Sequence, residues 1–129
     1  MSTTEPELGR ICIQVHPGRV PALDVARLAE VSEAVARRTP GIRGINISEG
    51  EEDGVFVNIL FAAVDPLASW PALKAALLES AEFGEVLKLS CMCMCTGDDG
   101  WDDYLLLYHF DPTVPLDDLP AGPAADVRR

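Results

Sequence analysis

The chain has 129 residues, 48% of them hydrophobic and 24% charged, with a formal net charge of −11. That length fits one domain, and the apolar fraction excludes a disordered body because it suffices for a core. The acid excess argues against a nucleic-acid backbone or an anionic membrane surface as partner.

Residues 1–9 read as a loose leader, residues 10–111 as a single α+β domain, and residues 112–129 as a Pro-rich acidic tail. From Arg10 to His16 the side chains alternate. Ile11, Ile13 and Val15 point one way, and Cys12, Gln14 and His16 the other, which predicts a half-buried strand ended by Pro17-Gly18. A helix is expected over Ala22 to Arg38, with Leu28, Val31 and Val35 as its apolar stripe. Arg37 and Arg38 suit the negative end of its dipole, and Pro40-Gly41 stops it.

The second strand is expected over Ile42 to Ser48, a turn over Glu49 to Gly54, and the third strand over Val55 to Ala62. Strands so close in sequence form a hairpin. Asp65-Pro66 opens a second helix buried through Trp70, Leu73, Leu77 and Leu78, and Pro71 is expected only in a first turn. A fourth strand is expected from Glu85 to Thr96 and a fifth from Asp102 to Phe110, joined by a type I′ turn at Asp99-Gly100. That turn sets Cys95 opposite Tyr104, Cys93 opposite Leu106 and Cys91 opposite Tyr108. It also puts Met92, Met94, Leu105, Leu107 and His109 on the other face.

The order predicts a ferredoxin-like split β-α-β fold: βαββαβ plus a fifth edge strand, an antiparallel sheet with two helices on one face. Right-handed crossovers give the strand order 5-4-1-3-2. Ile11, Ile13, Val15, Ile45, Ile47, Val57, Ile59, Leu87 and Leu89 are expected beneath the helices. The open face carries Gln14, His16, Asn46, Asn58, Leu60, Ser90, Met92, Met94 and His109, a mixture suited to meeting a partner.

Charge is divided unevenly. Residues 1–49 hold six acids and six bases, whereas residues 50–129 hold fifteen acids and four bases. The acids group at Glu49, Glu51, Glu52 and Asp53; at Asp98, Asp99, Asp102 and Asp103; and at Asp111, Asp117 and Asp118. A surface of one sign speeds encounter with a partner of the other, so a basic protein is expected.

Catalytic and metal motifs are weak. Cys91, Cys93 and Cys95 alternate along a strand, and about 13 Å between the outer two is too far to share one ion, so core packing is expected. His16 and His109 stand about 10 Å apart on the open face, too far for a direct hydrogen bond. The acids around Gly100 lack the ligand spacing of a calcium loop. No cofactor or metal is expected. No catalytic residues are assigned, and the balance leans away from an enzyme.

Two functions lead, with a bare regulatory or ligand-sensing ferredoxin-like domain as a third. The first is a non-enzymatic acidic binding protein, a bacterial immunity protein or antitoxin covering the active cleft of a basic toxin or enzyme. Its contacts are Asp98, Asp99, Trp101, Asp102 and Asp103, then Glu51, Glu52 and Asp53, with Trp101 as aromatic anchor. The second starts from Pro17-Gly18 after the first strand, then a helix, then Pro40-Gly41, which resembles the antibiotic-biosynthesis-monooxygenase type of domain. That resemblance implies a dimeric α+β barrel, a homodimer through the open sheet face, that binds a small apolar ligand. The first 15 residues carry acids and no apolar stretch of a secretory signal, and no run nears the ~20 residues of a membrane span, so a cytoplasmic protein is expected.

Overall fold

The computed structural model describes residues 8–51, 54–97 and 100–117. It shows an α+β fold: a five-stranded antiparallel sheet in the order β2-β3-β1-β4-β5, with three α-helices among the described residues. The strands are β1 (Gly9–Val15), β2 (Ile42–Glu51), β3 (Val55–Ala63), β4 (Cys91–Gly97) and β5 (Gly100–His109). The helices are α1 (Val25–Arg38), α2 (Pro66–Leu77) and α3 (Gly84–Ser90). None of the described helices is long and apolar enough to cross a membrane.

Central β1 is antiparallel to both neighbours, with Ile13 opposite Ile59 on β3 and opposite Cys93 on β4. Its inward side chains Ile11, Ile13 and Val15 are fully buried. Leu28 and Val35 of α1, Trp70, Leu73 and Leu77 of α2, and Leu87 of α3 join the same core, so all three helices bury against that face.

Helix α1 starts three residues later than expected. The Asp24 carboxylate accepts from the Arg27 N–H and caps it, while the preceding chain makes a 3-10 turn at Pro17–Arg19. Asp65 caps α2 in the same way, accepting from Ala68 N–H. Pro71, expected only in a first turn, lies inside α2. Strand β2 runs on to Glu51, where a turn was expected; Gly50 there has no room for a Cβ because the Phe56 ring covers it.

Residues 84–90 correct the expected fourth strand. They form helix α3, where Leu87 N–H donates to Phe83 C=O and the Ser90 hydroxyl to Val86 C=O. Phe83, Leu87 and Ser90 are buried at helical spacing, while Leu89, expected in the core, is 60% exposed. Ser90, expected on the open face, is buried in this helix.

The β4–β5 register also departs from expectation. Cys93 pairs with Tyr108, but Met94 pairs with Leu106, so Leu107 is an inserted residue, and a second irregularity separates Cys95–Leu105 from Gly97–Gly100. Cys93 and Cys95 therefore face Tyr108 and Leu105, not Leu106 and Tyr104. Leu107, expected on the open face, is buried in the core, and Leu106 instead shares a face with Met94.

Candidate functional site

The sheet face away from the helices is built from the alternate residues of four strands. Gln14 on β1 lies between Asn58 on β3 and Met92 on β4, and Cys12 lies between Leu60 and Met94. Ser48 on β2 stands opposite Asn58. Strand alternation alone puts these side chains together, since directly paired residues share a face.

Polar groups on this face are linked in a chain. Gln14 Nε2 donates to Asn58 Oδ1 at 3.1 Å, and Gln14 Oε1 is 3.0 Å from His16 Nε2. The Cys12 thiol donates to the same Asn58 oxygen at 3.7 Å. Burial pushes the Cys12 thiol up to about 11, so it stays protonated at neutral pH, the reverse of an activated nucleophile.

Above this floor lies a groove of about 380 Å³. Leu60 and Met94 give it an apolar base, and Trp101 and Tyr104 reach it from β5. Trp101 is 44% exposed and Tyr104 51% exposed. Tyr104, expected against the cysteines, reaches the open face because of the irregular pairing beyond Cys95.

At the other end of the face, aromatic and cationic groups converge on Phe110. His16 meets the Phe110 ring edge-on at 5.6 Å between centroids, and the His109 ring is 4.5 Å away. The Arg19 guanidinium lies 3.9 Å over the same ring. Burial, then the charges of Arg19 and His109, hold the His16 pKa below its usual value.

Comparison with protein-family models, curated proteins and solved structures finds no match.

Of the sequence-predicted contacts, Asp102, Asp103 and Glu51 are exposed, and Trp101 lines the groove. Asp98, Asp99, Glu52 and Asp53 lie outside the described residues. Register separates Glu51 from Asp102 and Asp103. Glu51 pairs with Val55 on edge strand β2, beyond the Val15 end of β1, whereas Gly97 and Gly100 extend beyond its Ile11 end beside edge strand β5. Glu51 and the Asp102–Asp103 pair therefore stand at opposite ends of the sheet.

Ion pairs among the described residues are confined to the helices and their connections: Arg27 with Glu30 and Glu82, and Lys74 with Glu79. Among those residues, Asp102, Asp103 and Glu51 have no basic partner. Cys91, Cys93 and Cys95 are fully buried free thiols in the core, and no group of three metal-ligating side chains occurs among the described residues.

Sequence reasoning placed Gln14, Asn58, Leu60 and Met94 on the open face by alternation. It missed Phe56, which the same alternation puts on the face of Asn58 and Leu60; Tyr104, whose place depends on the irregular β4–β5 pairing; and Phe110, which follows the end of β5.

Proposed function

We propose that this chain is a non-enzymatic acidic binding protein of the immunity-protein or antitoxin type, acting in the cytoplasm by covering the cleft of a basic toxin or enzyme. The observation that carries the reading is the β5 segment: half-exposed Trp101 and Tyr104 flank exposed Asp102 and Asp103, which have no ion-pair partner among the described residues. Aromatic anchors beside unneutralised carboxylates supply burial and charge complementarity together. The sheet order β2-β3-β1-β4, with β5 added at the edge, supports a ferredoxin-like split β-α-β plan beneath it.

The test is capture from an extract of the cell that makes the protein, compared at low and high salt. The reading expects a basic partner that elutes as salt rises and whose binding weakens at least about tenfold with Asp102→Lys/Asp103→Lys. Glu33→Lys, on the exposed side of α1, should leave capture intact. Failure to find a basic partner, or equal loss with both charge reversals, would sink the reading.

The apolar base of the groove, Leu60 and Met94, favours a second reading in which two open faces pair as a dimeric barrel. Light scattering decides it: a salt-independent dimer supports pairing, and a monomer removes it.

A further inference from the structure

We infer that the groove between Trp101, Tyr104 and Asn58 is a socket for an arginine side chain of the partner. This rests on the basic-partner reading and names the group that would enter.

Charge selects the occupant first. Among the described residues no charged side chain lines the groove, Asp102 and Asp103 stand between its two aromatic residues in sequence, and the chain carries −11 overall. A nucleotide would bring phosphates to an acidic protein, and a second copy would bring a further −11. A cation is drawn in.

Groove chemistry then separates arginine from lysine. Trp101 and Tyr104 bring aromatic rings to the groove, the surface on which a planar cation stacks, and Leu60 and Met94 offer apolar surface to its methylene stem. Asn58 Oδ1 already accepts from Gln14 and Cys12, which leaves Ser48 Oγ, Tyr104 Oη and the remaining lone pair of Gln14 Oε1 to accept. Several scattered acceptors suit a guanidinium with five donors. An ammonium is compact and strongly hydrated, so it loses more on entering a half-apolar groove.

The direct test is an NMR titration of the full chain with acetyl-Gly-Arg-Gly-amide, following the Trp101 indole and the Asn58 and Gln14 side-chain amides. Lysine and citrulline analogues serve as comparisons; citrulline keeps the planar shape without charge. The expected result is saturable movement of these signals with the arginine peptide and at least about threefold weaker binding of either analogue. Trp101→Leu should weaken the arginine peptide, read at the Asn58 and Gln14 side-chain amides, while core signals such as Ile13 stay in place. Equal binding of the lysine or citrulline peptide, saturation by adenosine instead, or an unaffected Trp101→Leu variant would overturn the inference.

Partner capture separates this failure from failure of the wider reading. Leu60→Arg would fill the socket, whereas Asn46→Arg adds the same charge on the paired β2 position outside it. Loss with Leu60→Arg alone supports the socket. Capture retained in both but lost in Asp102→Lys/Asp103→Lys overturns the socket and leaves the basic-partner reading standing. Capture retained in all three overturns both.

Discussion

Asp117 holds both backbone polar groups of Leu106: Leu106 N–H donates to Asp117 Oδ2 at 2.7 Å, and Asp117 N–H donates to Leu106 C=O at 3.1 Å. Leu106 is on edge strand β5, where unpaired N–H and C=O groups would otherwise face outward. The segment reaches it through a turn in which the Asp111 carboxylate accepts from the Thr113 N–H and hydroxyl, and Val114 N–H donates to Asp111 C=O. One end of the expected tail is thus tied to the sheet edge.

Asp117→Ala removes the side-chain half of that clasp. The site is exposed, so water replaces part of the lost bond and the expected cost is about 0.5–1 kcal/mol in urea unfolding. Amide exchange at Leu106 should rise while exchange at Ile13 stays unchanged. Asp117→Asn keeps an acceptor oxygen and should retain most of the protection; an equal loss in both would assign the effect to charge.

His16 predicts a dependence on mild acid. Its pKa is held below the usual 6.5 by burial, then by Arg19 and His109, so the folded chain binds fewer protons at this site than the unfolded one. Stability should therefore fall as pH drops through about 6.5 toward the lowered folded value. The check is urea unfolding at pH 7.5 and 5.5 for the parent and His16→Gln. The drop should be smaller in the variant, which lacks the imidazole; an identical drop would clear His16 of any part.

Strand β1, the β2–β3 hairpin and the apolar stripes of α1 and α2 were legible because each is a local period with one buried face. Residues 84–90 misled because Val86, Leu87 and Leu89 fit a strand as readily as one helical turn, and only tertiary packing leaves Leu89 outside. The run Tyr104 to Tyr108 is apolar or aromatic at every position, so neither parity marked a face and the inserted residue left no trace in the pattern. Trp101 stood out as an aromatic among acids. Apart from Tyr104, its companions in the groove come from four other strands, and no local spacing joins Ser48 to Met94.

The Cys12 thiol predicts an alkaline limit. Burial raises it from 9.0 to about 11, so the folded state keeps a proton that the unfolded chain releases. Its contribution is complete below pH 9 and is lost between about 9 and 11, on the order of 2 kcal/mol. Cys12→Ala should flatten that part of the pH–stability curve relative to the parent. Native-state alkylation of Cys91, Cys93 and Cys95, all fully buried, should track global unfolding; rapid labelling at neutral pH would contradict their placement.

The inserted residue on β5 sets neighbouring leucines against each other. Leu107 is 8% exposed within the core, while Leu106 shares the open face with Met94. An unbroken hairpin register would reverse those roles. Leu107→Ala should therefore cost about 2–4 kcal/mol through lost burial and a cavity. Leu106→Ala should cost less than about 1 kcal/mol, because its side chain is only half-buried and the gap opens to water. Urea unfolding of the two variants, with unchanged slopes, decides between the registers. A larger loss from Leu106→Ala would restore the unbroken pairing, with Tyr104 returned to the cysteine face and the groove left without that wall.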